Sequence, residues 1–302
     1  MTETTVPRRA LLLLLILTIV WGTNWPLFPL AVREVSVWTF RAVSVIGAGS
    51  ALMFVAWMRG EKLTIDRRYW PTVLMASMCY LVVWNIASTW SATVIASGQS
   101  AVLGFTMPLW AALISWAVLG EKPTGRLLLA ILLGACAVVL LIIPGLADYA
   151  DAPIGFAIGL LAGFGWAVGT LILKRGQVQA TALVLTSWQM LLAAVPITIA
   201  AFALGDGQWF VPSWQSIAII GYITLVPMSV GNFCWFSIVG LLPANLAGLS
   251  SIMVPIVAMI SGAIVLGETL GPMQWLAMLC SASALGLAVM RPSAKAAPAR
   301  SN

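Results

Sequence analysis

The chain has 302 residues, of which 61% are hydrophobic and 8% charged, with a net charge of +6 and a mean hydropathy of +1.03. Soluble domains carry about 25% charged residues, so water is excluded as the main solvent and a lipid bilayer takes its place. The positive balance needs no nucleic acid to explain it, because it follows from where the lysines and arginines fall between apolar runs.

A bilayer core is spanned by roughly 20 helical residues rising about 1.5 Å each, and ten apolar runs of that order follow one another. The first, residues 10–30, opens after Arg8 and Arg9 with LLLLLILTIV and stays apolar through Phe28 and Leu30. It lacks a small-residue cleavage site and reads as a retained helix, not a secretory signal. Trp21, Trp25 and Phe28 share one face of it, with Asn24 adjacent. The second run, 37–58, carries Arg41 near its start. Three readings stay open for this arginine: snorkelling to the outer interface, contact with a substrate carboxylate, or bonds to loop carbonyls. In the third, 70–90, Tyr80, Trp84 and Ser88 stack four apart, with Asn85 beside them. The fourth, 92–119, contains Pro108 after a thin flank of Ser97, Gly98, Ser100 and Gly104, and the fifth covers 124–143.

The sixth run, 153–174, spaces Gly155, Gly159 and Gly163 four apart, and likewise Gly165 and Gly169, which lets neighbouring backbones approach closely. No strand precedes these glycines and no Lys-Ser/Thr follows, so they are not a phosphate loop. Trp166 and Thr170 lie on the same run. Gln189 sits in the seventh, 180–204, and Asn232 and Trp235 sit in the eighth, 213–238. The ninth, 243–266, carries Pro255 behind Ala247, Gly248, Ser250 and Ser251, and the tenth is 270–290. Residues 292–302 read as a short, disordered, basic cytoplasmic tail. Because lipid-exposed backbone must satisfy its own hydrogen bonds, each run is a helix or a barrel strand, and none shows barrel alternation. The predicted fold is an all-α membrane protein with ten transmembrane helices.

Sliding the sequence by 147 places Pro108 on Pro255, Ala111 on Ala258 and Val118-Leu119-Gly120-Glu121 on Val265-Leu266-Gly267-Glu268. Five helices therefore repeat as five, with repeats at 1–147 and 148–291, and an odd number inverts the second copy. Inverted repeats place a substrate near the midplane, where the halves of a secondary transporter meet. Thirteen of the fifteen lysines and arginines fall on one side if the N-terminus is cytoplasmic, so both termini are expected there. The Gly-Glu pairs read as corners, with Gly in the left-handed conformation that ends a helix; a role of Glu121 and Glu268 in substrate or proton binding is the alternative. Pro108 and Pro255 free the carbonyls of Gly104 and Ser251. They predict helices bent as gates beside a cavity; a static packing kink is the alternative.

Eight of the fifteen tryptophans fall at span ends as interfacial anchors. Trp21, Trp25, Trp84, Trp110, Trp166, Trp188 and Trp235 lie deeper, each either lining the cavity or packing between helices. Polar side chains in spans face inward, which favours Asn24, Asn85, Gln189 and Asn232 as lining residues. Cys79, Cys136, Cys234 and Cys280 read as small core residues, and neither a metal site nor a cofactor is expected.

Ten helices in two copies, the WGTN of the first helix, an Arg near the start of the second, and fourth and ninth segments ending LGE resemble the EamA-type drug/metabolite transporter superfamily. The resemblance runs over residues 10–290, and the Trp-rich helices are similar to the YddG-like aromatic amino-acid exporters. It implies export of amino acids, drugs or other metabolites. One departure stands out: Gly165-Trp166-Ala167-Val168 replaces Trp21-Gly22-Thr23-Asn24 in the second copy, so no role of Asn24 transfers there.

No Asp or Glu lies mid-span and there is no histidine, so the usual proton relays are absent and facilitated export, or coupling without a titrating side chain, is expected. A hydrophobic cation would want a buried carboxylate, and a sugar phosphate several basic residues. A neutral or zwitterionic solute with apolar bulk remains: aromatic amino acids, stacking on Trp21, Trp84 or Trp166, or other neutral ones. The expected substrate-binding set is Trp21, Asn24, Tyr80, Trp84, Asn85, Trp166, Gln189, Asn232 and Ser251, in a monomer of the inner membrane. Other neutral metabolites or drugs are the alternative cargo. An integral membrane enzyme would need an acid-base pair or an activated nucleophile that the chain does not offer.

Overall fold

The computed structural model describes residues 8–95, 97–118, 120, 124–143, 152–204, 212–242, 253–267 and 270–289. Among these the chain is helical throughout, without a strand. The elements are α1 (Arg8–Gly22), α2 (Phe28–Ala31), α3 (Val37–Met58), α4 (Trp70–Ser77), α5 (Val83–Val94), α6 (Ser97–Gly104), α7 (Met107–Ala117), α8 (Gly125–Ile142), α9 (Pro153–Gly176), α10 (Ala182–Leu204), α11 (Trp214–Ile223), α12 (Asn232–Leu241), α13 (Val254–Leu266) and α14 (Pro272–Val289). Among the described residues, seven stretches are long and apolar enough to cross a membrane: Arg8–Ala31, Val37–Met58, Arg67–Val94, Ser100–Ala117, Pro153–Gly176, Ala182–Leu204 and Trp214–Leu241. Gly125–Leu140 and Val254–Val265 are shorter apolar helices.

Polar side chains start several of these helices by accepting amide hydrogens that no turn precedes. Ser36 caps α3 through Thr39 N, Thr124 caps α8 through Leu127 N, and Ser213 caps α11 through Ser216 N. Gly120 and Gly267 stand at φ of +69° and +70°, the left-handed conformation expected after the two matching apolar runs. Their partners Glu121 and Glu268 lie outside the described residues, as do Ser251 and the 292–302 tail.

Packing follows a reciprocal exchange. The opening helix of the first half, α1, packs on α12 and α13, while the opening helix of the second, α9, packs on α5, α6 and α7. Close approach requires the glycines of α9: a Cβ on Gly163 would stand 2.8 Å from the Gly104 carbonyl oxygen. α3 runs along α10, and α8 runs along α14.

Several expectations are corrected, and one open reading is closed. The first run is not one helix: it breaks at Thr23–Asn24, passes through a 3-10 turn at Trp25–Leu27 and resumes as α2. Pro26 and Pro29, each lacking an amide hydrogen, account for the interruption. The fourth run is two helices, α6 and α7, with the third span reaching Val94. Pro108 and Pro255 stand in the first turns of α7 and α13, where a missing amide costs nothing, and Pro108 therefore does not kink a continuous helix. Arg41 does not snorkel: it is 1% exposed. Cys136 is exposed, whereas Cys234 is buried, so not every cysteine is a core residue.

Candidate functional site

Two wide turns shape the centre of the bundle. Met78–Val82, between α4 and α5, and Thr224–Gly231, between α11 and α12, are π-helical, a geometry that often marks functional sites. They occupy matching places, because the shift of 147 also lays Leu81 on Met228 and Asn85 on Asn232. Each asparagine bonds back into its own wide turn: Asn85 Nδ2 donates to Leu81 O at 2.7 Å, and Asn232 Nδ2 donates to Met228 O at 2.9 Å. The carbonyl ends take no part in these bonds. Asn232 Oδ1 accepts from the Tyr80 hydroxyl at 3.0 Å. Among the described residues, Asn85 Oδ1 is buried without a partner, as is Asn24 Oδ1.

Between the wide turns lies a cavity of about 30 Å³ lined by both halves of the chain. Ligand pockets typically measure about 300–1,000 Å³, and a single water needs about 10–15 Å³, so this conformation has room for water and not for an amino acid. Half of the lining residues are aromatic. Trp166 is its hub, edge-on to Trp84 at 4.1 Å, to Trp21 at 5.0 Å and to Tyr80 at 5.2 Å between centroids. Trp25 meets Trp84 at 6.2 Å and Phe105 at 5.8 Å. The Trp21 indole donates to Pro227 O at 3.0 Å, a carbonyl of the second wide turn. Gly231 makes room for that indole, since a Cβ there would sit 2.2 Å from Trp21 Nε1.

The cavity also holds one cation. Arg41 reaches it from α3, donating through Nε to Thr89 Oγ1 at 2.5 Å and through Nη1 to Met228 Sδ at 3.8 Å. Its guanidinium carbon lies 4.5 Å from the Phe28 ring centre and 4.9 Å from that of Phe40.

Of the expected set, Trp21, Asn24, Tyr80, Trp84, Asn85, Trp166 and Asn232 line this cavity together. Gln189 is fully buried but off its wall; its side-chain nitrogen donates to Leu185 O at 3.3 Å. Ser251 lies outside the described residues. Of the other deep tryptophans, Trp25 lines the cavity. Trp235 packs against Trp166 and Trp110 against Phe164, while Trp188 donates to Leu63 O at 2.7 Å in a loop. Arg41, Phe105, Pro227 and Met228 are lining residues absent from the expected set. The asparagine match at the 147 shift was the available signal for the second wide turn. Among the described residues, the cavity wall carries no carboxylate, thiol or imidazole.

The family model for the EamA-like transporter family matches twice, over residues 8–143 and 153–290. The chain belongs to that family. It is a multi-pass membrane transporter of the EamA type, and the double match agrees with the doubled sequence pattern. The chain is 24% identical over 265 residues to the uncharacterised transporter YvbV of Bacillus subtilis (strain 168), covering 87% of this chain and 85% of YvbV. It is 24% identical over 279 residues to a probable amino-acid metabolite efflux pump of Salmonella typhimurium (strain LT2), covering 88% and 90% of the two chains. A solved crystal structure shares the fold at a TM-score of 0.75 and 18% identity, over 92% of this chain and 96% of the other.

Proposed function

We propose that this EamA-family transporter exports neutral amino acids, aromatic ones foremost, across the inner (plasma) membrane by alternating access. The chain then crosses the bilayer ten times as two inverted five-helix repeats, 1–147 and 148–291, with both termini and the 292–302 tail in the cytoplasm. The observation that carries the reading is the wall of the central cavity, where four tryptophans surround two unpartnered carboxamide oxygens. Ring faces suit an apolar or aromatic side chain, and carbonyl oxygens suit an ammonium group. The name of the Salmonella relative supports the cargo class.

The cavity is too small for its cargo as it stands, so the halves must part to admit it. The break at Gly104–Met107 supplies a gate, with Phe105 on the cavity wall. Without a mid-span carboxylate or histidine, movement follows the cargo gradient.

The test is release of labelled tryptophan from liposomes containing the purified protein. Wild type is expected to release it, and Trp166→Ala to lower the rate at least tenfold by removing the hub ring. Protein that releases no neutral amino acid but moves another neutral solute would shift the cargo to that class.

A further inference from the structure

Arg41 presents an imbalance that aromatic packing does not remove. It is 1% exposed, and among the described residues the ion pairs are Arg59–Glu61 and Lys62–Asp66, neither of which involves Arg41. A cation withdrawn from water is costly unless it is paired and fully hydrogen-bonded. Here Nε and Nη1 have partners, two rings face the guanidinium, and Nη2 is buried with none. The same cavity wall carries the complementary deficit, since Asn24 Oδ1 and Asn85 Oδ1 are acceptors lacking donors. One buried cation with a vacant donor and two vacant acceptors, set among tryptophans, form the negative image of a zwitterion.

We infer that Arg41 binds the α-carboxylate of the cargo while Asn24 and Asn85 receive its ammonium group, so that the site selects free α-amino acids over their amides and decarboxylated amines. The inference rests on the amino-acid reading above and specifies which atoms recognise the cargo. Arg suits the task because its planar donors match a carboxylate, and it does not lose its charge on burial as readily as Lys. An intramembrane charge facing a cavity is expected to have such a partner. Thr89 positions the fork: its hydroxyl accepts from Arg41 Nε and donates to Asn85 O at 2.8 Å, tying the cation to the helix that bears one acceptor.

The experiment measures binding by thermal stabilisation of the full-length protein with three probes: L-tryptophan, tryptophan amide and indole-3-propionate. Wild type is expected to bind L-tryptophan at least tenfold more tightly than the amide. Arg41→Met should weaken L-tryptophan at least tenfold and abolish the preference, with Arg41→Lys in between. Asn24→Leu should weaken L-tryptophan but leave indole-3-propionate unchanged. A folded Arg41→Met protein that keeps the preference overturns the proposal; if neither Arg41 variant folds, equal wild-type binding of L-tryptophan and its amide overturns it. Should wild type bind no amino acid, the export reading fails separately. The anion site then stands if indole-3-propionate stabilises wild type and falls if it does not.

Discussion

Asn85 and Asn232 perform the same local task in the two halves, and their energetics can be separated. Each donates to a carbonyl of its own wide turn, Leu81 O or Met228 O. Replacing either by leucine removes that buried hydrogen bond, at a cost of about 0.5–1.5 kcal/mol. Asn232→Leu also strands the Tyr80 hydroxyl, which has Asn232 Oδ1 as its partner. Thermal unfolding in detergent is expected to show both variants melting lower, with Asn232→Leu lower than Asn85→Leu. Equal melting of both variants and wild type would remove the asparagines from the support of the wide turns. These residues were legible in sequence as inward-facing polar groups, because an amide in an apolar helix has few other places to go. Arg41 was less so: hydropathy records that a charge is present and not which way its long stem turns.

At the scale of elements, the apolar runs were easily read because hydrophobicity is a sum over some twenty residues and tolerates local exceptions. The left-handed glycines after α7 and α13 were readable for a different reason, since a repeated motif isolates the one residue that both corners need. The wide turns left only the match of Asn85 with Asn232. One extra residue per turn changes neither composition nor length noticeably, so Tyr80 and Asn232 could be named but not brought together. The break inside the first run was signalled by Pro26 and Pro29, yet a continuous apolar window concealed it. Between elements, the loop before α3 is fastened to the start of α11: Glu34 Oε2 accepts from Ser213 N at 2.7 Å. That backbone hydrogen bond, followed by the Ser213 hydroxyl, holds the Glu34 carboxyl below its ordinary value of 4.5. The contact is therefore at full strength above that value and disappears as pH falls through the lowered one. Melting temperature recorded from pH 7 downwards is expected to drop more steeply in this acid range for wild type than for Glu34→Gln. Parallel curves would show that the fastening contributes nothing.

Across the whole molecule, the contacts joining the two halves lie at both ends of the bundle as well as at its centre. At the end opposite Glu34, Thr181 Oγ1 donates to Glu61 Oε2 at 2.5 Å, Arg68 Nη2 to Gln179 Oε1 at 3.5 Å, and the Trp188 indole to Leu63 O. If the halves part there to exchange cargo, a short thiol-reactive linker between Glu61→Cys and Thr181→Cys will stop transport in a background lacking the native cysteines. Either single variant is expected to keep transporting. Unimpeded flux through the linked protein would place the moving boundary elsewhere. The 30 Å³ core has a final consequence for the cell. An unloaded carrier whose middle is closed by indole rings and holds a fixed positive charge offers hydrated sodium or potassium neither width nor welcome. The idle protein is thus an electrical insulator, and a cell can keep many copies in its membrane without short-circuiting the voltage on which its other machinery runs.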